Sequence, residues 1–285
     1  EVVHAHDCLT YFAGIAAKRG SGKPLVVHMH ATSFDRSSSD NIDTRVYAIE
    51  KAGMAAADRV IAVSNLTRNI VIEKYGIPAE RVVTVHNAVR FAEKDNEMPE
   101  RGVKDKIVTF LGRITFQKGP DYFVEAAAKV LKRVPNVRFV MAGSGDMMNH
   151  VIRRVARLGI ADRFHFTGFL KGDDVHKMFQ LSDVYIMPSV SEPFGISPLE
   201  AMRANVPSII SKQSGVAEVL DYAVKVEPTF HAEVIARNKA LNIEPYGGFV
   251  NPEYELVKEG DKVVDVRISY PANYTEQMIN YAKNY

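Results

Sequence analysis

Ile107-Val108-Thr109-Phe110-Leu111-Gly112-Arg113-Ile114-Thr115-Phe116-Gln117-Lys118-Gly119 is an apolar run followed by a short loop that holds two cations and two glycines, with a helical stretch after it. It reads as a strand that ends in a ligand-edge loop. Further strands are predicted at 137–142, 164–167, 184–187 and 207–210, with helices between them. Apolar strands alternating with helical stretches of about 10–15 residues specify a parallel sheet covered on both faces, a doubly wound Rossmann-like α/β domain. Ligands of such sheets sit beyond the carboxyl ends of the strands. That rule selects residues 112–119, 143–146, 168–171 and 189–197.

Upstream the same rhythm is present in a less regular form. A short strand at 2–3 leads to a helix at 9–19, Gly20-Ser21-Gly22 breaks it, and a strand follows at 25–29. A polar loop at 33–43 precedes a helix at 46–57, a buried strand at 59–63 and a helix capped by Ser64 that stops at Gly76 and Pro78. One more strand, 82–85, comes before a charged, apolar-poor segment at 90–106 that reads as an inter-domain linker. The predicted organisation is a partial Rossmann-like domain at 1–95, a linker at 96–105, a second Rossmann-like domain at 106–228 and an extension of different origin at 229–285. Glu1-Val2-Val3-His4-Ala5-His6 reads as the middle of a strand, which predicts missing sequence upstream. After Pro228 the alternation stops, with a helix-like run at 231–241, turn-rich Pro245-Tyr246-Gly247-Gly248, a strand-like 263–269 and a last short helical run.

Composition narrows the function classes. A 46% hydrophobic content over 285 residues supports a sizeable core and two domains. With 36 basic against 34 acidic residues the net charge is +2, so no whole-chain field marks a nucleic-acid binder, and an anion site must be local. The lone cysteine, Cys8, can make neither an internal disulfide nor a thiolate cluster, which suits a reducing, cytoplasmic setting. No apolar run reaches the ~18 residues of a membrane span. There is no Asp-x-Asp and no His-Glu-x-x-His, so neither a metal nor a cofactor is expected.

Two stretches carry candidate chemistry. In the first, Arg113 offers a planar fork to phosphate oxygens and Lys118 a mobile point charge, enough to hold a diphosphate; a solvated basic turn is the plain alternative. The second is Ser191-Glu192-Pro193-Phe194-Gly195-Ile196-Ser197-Pro198-Leu199-Glu200-Ala201-Met202, which follows a predicted strand and opens a helix with Pro198 in its first turn. The amides of Gly195, Ile196 and Ser197 can there form an anion site. Glu200 can accept from ribose hydroxyls and Glu192 can reach a sugar, although acids near a helix start stabilise it by ~0.3–1 kcal/mol with no further purpose.

Taken together, the Arg113 and Lys118 loop and the pair Glu192 and Glu200 resemble retaining glycosyltransferases of the GT-B fold, in the branch that contains glycogen and starch synthases and many bacterial hexosyltransferases. The resemblance covers about residues 1–228 and implies two Rossmann-like parallel-sheet domains facing a cleft, the N-terminal one incomplete. It implies that Arg113 and Lys118 hold the diphosphate, Glu200 the ribose, and Glu192 the donor sugar, with Gly112, Gly143 and Gly215 in turns near the donor. Gly143-Ser144-Gly145-Asp146 also matches half of a dinucleotide fingerprint, with Met148 where a third glycine would stand. His4-Ala5-His6-Asp7 is similar to a strand end of the synthases; in Val27-His28-Met29-His30, His30 is the better match to a histidine that approaches the sugar and His28 the second, a core or loop histidine being the alternative. Ser64 and Asn65 match a cleft-facing segment and equally fit as helix caps.

The implied activity is metal-independent transfer of a hexose, with glucose and a glucan acceptor as the narrower expectation, from a nucleoside-diphosphate sugar to an acceptor hydroxyl with retention. A non-catalytic nucleotide-sugar-binding fragment and a GT-B epimerase or phosphorylase are the rivals. An uncovered sheet edge in the N-terminal domain predicts instability or self-association. The tail resembles the C-terminal tail of bacterial dipeptidyl peptidase III through Tyr246-Gly247-Gly248-Phe249-Val250-Asn251-Pro252 and Tyr274-Thr275-Glu276-Gln277-Met278.

Overall fold

The computed structural model describes residues 1–37, 42–89 and 99–226, and the strands Glu253–Glu259 and Lys262–Ser269, which pair antiparallel. The expectations for 227–252, for residues 90–98 of the linker segment and for the final helical run lie outside the described residues. The chain divides into two compact units, the first made of Glu1–Ala88, Val190–Ile196 and Gln213–Val219, the second of Val89–Ser189, Ser197–Lys212 and Leu220–Tyr285. Two segments of the stretch expected to be a single nucleotide domain thus fall in the first unit.

The first unit is built on a parallel sheet in the order β1 (Val3–His6), β2 (Leu25–Met29), β3 (Arg59–Ala62) and β4 (Val82–Thr84). In β2, Leu25, Val27 and Met29 are fully buried, the period of two that a pleated strand imposes. Helix α1 (Asp7–Ser21) ends on Gly22, whose left-handed backbone lets its N–H donate to the Lys18 carbonyl. The stretch 33–43, expected to be a loop, contains the short helix α2 (Ser33–Ser37). Its cause is side-chain bonding that local pattern does not reveal. The buried Asp35 carboxylate accepts from Thr32 N at 2.8 Å and Thr32 Oγ1 at 2.7 Å, and Ser33 Oγ donates to buried Glu50 at 2.8 Å. Glu50 lies on α3 (Thr44–Ala56), which Asp43 caps by accepting from the amides of Arg45 and Val46. Gly53 of α3 packs on the Tyr11 ring, which a Cβ there would meet at 2.2 Å. Helix α4 (Asn65–Tyr75) closes the unit's βα series and ends at Gly76 as expected. Leu9 and Phe12 of α1 stand 94% and 58% exposed, an apolar surface on this unit.

The second unit holds six parallel strands, β5 (Lys106–Leu111), β6 (Val137–Ala142), β7 (Phe164–Gly168), β8 (Val184–Met187), β9 (Ser208–Ser211) and β10 (Val224–Val226). Five were anticipated to within a residue or so at each end; β10, three residues long, was not. The spatial order β10-β9-β8-β5-β6-β7 puts the unit's first strand beside its fourth, the doubly wound order with its switch point between β5 and β8. The covering helices are α5 (Pro120–Leu131), α6 (Met148–Arg157), α7 (Asp173–Leu181) and α8 (Ser197–Arg203). Phe110, Phe123 and Phe139 are buried in its core, with ring centroids 5.6 Å and 5.8 Å apart along the series.

Asp183 joins the amino ends of the two switch-point strands. It accepts from Ile107 N at 2.8 Å, from Lys106 Nζ at 3.0 Å and from the Arg101 guanidinium. Burial would raise its pKa, but the bonds from Arg101, Ile107 and Lys106 outweigh it and hold the carboxyl below the usual range. A carboxyl depressed in this way contributes stability above its unfolded pKa, lost as pH falls through the folded value. Asp183→Ala is expected to cost about 2–3 kcal/mol in urea unfolding at neutral pH, because charge-assisted bonds are lost and an amide is left unpaired.

Candidate functional site

In the second unit, residues 112–119 leave the carboxyl end of β5 at the switch point. Arg113 is exposed, its guanidinium 3.5 Å from Gln117 Oε1, and half-buried Lys118 ends a 3-10 turn, Phe116–Lys118. Gly119, at φ 66°, follows; a Cβ there would lie 2.1 Å from the Pro188 carbonyl oxygen at the end of β8. The close approach of these two loop starts requires glycine, and it fixes where Lys118 leaves the backbone.

Gly112 and Gly143 are brought together for a different reason. A Cβ on Gly143, at φ 139°, would sit 1.8 Å from the Gly112 oxygen, and one on Gly145 would sit 2.2 Å from the Ile114 oxygen. Ile114 N donates to Ser144 O at 2.9 Å and Met147 N to Ile114 O at 3.0 Å. The glycine spacing that resembles a dinucleotide fingerprint is thus accounted for by backbone packed on backbone.

Ser197 and Glu200 also belong to this unit. Pro198 is buried in the first turn of α8, as expected, but α8 has only seven residues, so it adds little macrodipole to an anion site. Half-buried Glu200 has its pKa raised by burial, an effect tempered by the charge of Arg203.

The first unit holds Glu192, Gly195, Ile196, Gly215 and His30. Glu192 is 7% exposed; its N–H donates to Gln213 O at 3.1 Å and its carbonyl accepts from Gly215 N at 2.9 Å. Gly195 is buried at φ 94°, whereas Ile196 is exposed. Ser64 is fully buried and does two things: its hydroxyl accepts from Thr67 N as the cap of α4 and donates to Pro193 O at 2.6 Å. A Cβ on Gly215 would lie 2.1 Å from that same carbonyl oxygen and 2.4 Å from Ser64 Cβ. Asn65 Oδ1 accepts from Thr84 Oγ1 at 2.8 Å.

Two residues escaped the sequence analysis. The Glu218 carboxylate accepts from the amides of Asn65 and Leu66, both at 2.8 Å, at the start of α4, and lies 2.9 Å from His86 Nε2. Its partners are some 150 residues away in sequence, 153 for Asn65, so only an acid after Gly215 could have hinted at the role.

The histidines of β1 and the end of β2 lie together. His30 N donates to the Asp7 carboxylate at 2.8 Å, and its Nε2 is 2.9 Å from His6 Nδ1. His28 is half-buried, and burial, followed by the neighbouring histidines His30, His6 and His4, pushes its pKa down to about 4. The same kinds of cause lower that of His4.

Two all-parallel sheets, one doubly wound with a cationic loop at its switch point, define an α/β protein of the GT-B class. Solved structures with this fold include HepE from Anabaena in complex with UDP and glucose, at a TM-score of 0.69 and 19% identity over 85% of this chain and 70% of that one. Sucrose-phosphate synthase from Thermosynechococcus elongatus matches at a TM-score of 0.72 and 18% identity, over 85% of this chain and 64% of that one. The family model for glycosyl transferases group 1 matches residues 91–240, and that for glycosyltransferase family 4 matches residues 1–93. The chain belongs to the group 1 glycosyl transferases. An uncharacterized glycosyltransferase of Methanocaldococcus jannaschii is 33% identical over 237 residues, 79% of this chain and 60% of the relative. The alpha-D-kanosaminyltransferase of Streptomyces kanamyceticus is 29% identical over 236 residues, 77% of this chain and 61% of the relative. A glycogen synthase of Mycobacterium tuberculosis is 25% identical over 225 residues, 77% of this chain and 54% of the relative. The chain thus spans about half to three fifths of the length of these relatives. Among the described residues no helix is long and apolar enough to cross a membrane.

Proposed function

We propose that this chain acts in transfer of a hexose from a nucleoside-diphosphate sugar to an acceptor hydroxyl, with retention and without a metal in the chemical step. The observation that carries the reading is the loop of Arg113 and Lys118 at the β5–β8 switch point, where doubly wound sheets take their nucleotides. HepE, bound to UDP and glucose, and the transferases among the relatives support a nucleotide sugar as the donor. Arg113 and Lys118 stabilise the negative charge that grows on the diphosphate as the glycosidic bond loosens, and the leaving phosphate takes the acceptor proton. Glu200 accepts from the ribose hydroxyls, Glu192 and His30 contact the donor sugar, and the amides of Gly195, Ile196 and Ser197 assist the diphosphate. Glucose and a glucan are the narrower choice of sugar and acceptor. The tail beyond residue 240, where the group 1 match ends, is an extension of different origin without peptidase chemistry.

Calorimetry with the diphosphates of uridine, adenosine and guanosine, beside a transfer and donor-hydrolysis assay, tests the proposal. Tight binding with turnover is expected; binding without turnover would make the chain a binding fragment, and epimerised donor would move it to another reaction.

A pH dependence follows from Glu200. Its ionised form accepts from the ribose, so donor binding requires loss of a proton whose pKa burial has raised. Nucleotide affinity is therefore expected to fall as pH drops through a midpoint above the usual glutamate value of about 4.3. Glu200→Gln should flatten that limb of the affinity profile measured by calorimetry.

A further inference from the structure

We propose that His4, His6 and His28 form a binding site for one divalent transition metal ion of the zinc, nickel or copper type. The inference is independent of the transferase reading. His4-Ala5-His6 and His28-Met29-His30 are two His-x-His pairs, on β1 and at the end of the neighbouring β2. A strand turns alternate residues to one face, and the parallel register sets His6 opposite His28, so the two pairs share a face of the sheet. The ring centroids are 4.3 Å apart for His4 and His6, 5.1 Å for His6 and His28, and 5.7 Å for His4 and His28. One nitrogen from each of the three lies within 4.8 Å of the others.

Imidazole binds zinc at about 2.0–2.1 Å, so tetrahedral ligation needs nitrogens about 3.4 Å apart. Side-chain rotation of His4 and His6, both exposed, supplies that contraction while the strand register stays fixed. Buried His28 Nε2 has no hydrogen-bond partner, an arrangement that costs free energy and that a metal ion relieves. His30, 2.9 Å from His6 Nδ1, orients the His6 ring; with the proton on Nδ1, the Nε2 lone pair of His6 is free for a metal. Three imidazoles leave a fourth position for water, and a nitrogen-only set suits zinc, nickel and copper rather than magnesium or calcium. The missing Asp-x-Asp and His-Glu-x-x-His motifs exclude other architectures and do not bear on a pair of His-x-His strands.

The 285-residue chain, stripped with a chelator, should take up one equivalent of zinc in competition with a colorimetric chelator, at a Kd of about micromolar or tighter. Copper(II) bound to it should give an electron paramagnetic resonance signal with imidazole nitrogen couplings. His4→Gln and His6→Gln, at exposed positions, are each expected to weaken zinc binding at least about ten-fold, while His150→Gln, a histidine of the second unit outside this ligand set, leaves it unchanged. The absence of stoichiometric zinc, or wild-type affinity in both exposed-site variants, would overturn the proposal.

Discussion

Arg113→Ala is expected to lower the rate of sugar transfer by about 10²–10³-fold, with Lys118→Ala doing the same, the loss usual when one preorganised donor to a developing negative charge is removed. The effect should fall mainly on kcat, because diphosphate charge grows between bound donor and transition state and binding common to both changes only KM. Arg113 is suited to a clean test. It is exposed, and its described side-chain bond is a 3.5 Å contact with Gln117, so its removal should move stability by less than about 0.5 kcal/mol. Arg113→Lys keeps the charge and loses the fork, and should recover part of the rate. Steady-state kinetics beside circular dichroism decides the matter: near-wild-type turnover in both alanine variants would sink the assignment of the loop.

The contrast between what could be read in the sequence and what could not follows the range of the interactions. Strand β2 was legible because the mostly apolar stretch Leu25-Val26-Val27-His28-Met29 follows the break at Gly20-Ser21-Gly22, and the end of α4 because Gly76 takes a left-handed conformation that its identity announces. Helix α2 was not legible, since Asp35 and Glu50, charged residues that would ordinarily be assigned to the surface, are buried on bonds to Thr32, Ser33, Arg36 and Tyr75. In the candidate site, the residue types of Arg113, Lys118, Glu192 and Glu200 were legible from their setting after strands. That Val190–Ile196 and Gln213–Val219 join the first unit was not, because the contacts of Pro193 and Gly215 with Ser64 link residues more than a hundred positions apart. The glycines show the same limit: their positions were visible, but not the carbonyl oxygens that demand them.

Gly143→Ala distinguishes the two accounts of those glycines. If the donor requires Gly143, alanine weakens nucleotide binding in a protein of ordinary stability. If packing requires it, the fold suffers first. A Cβ 1.8 Å from the Gly112 oxygen cannot be accommodated by a rotamer change, because the obstacle is backbone, and φ 139° is itself strained for any residue with a side chain. The two loops cannot separate freely either, since Gly112 N donates to Ala142 O at 3.0 Å and Ile114 N to Ser144 O at 2.9 Å. The expected cost is on the order of 4 kcal/mol, at the upper end for a single substitution and read as a lower urea midpoint or failure to accumulate folded protein. Ser144→Ala, next to it and exposed, should stay within about 0.5 kcal/mol of wild type. Because Arg113 lies between Gly112 and Ile114, any Gly143→Ala protein that folds should also lose transfer rate, through a displaced guanidinium. A variant that keeps the wild-type urea midpoint yet loses nucleotide affinity would instead return Gly143 to the donor and overturn the packing account.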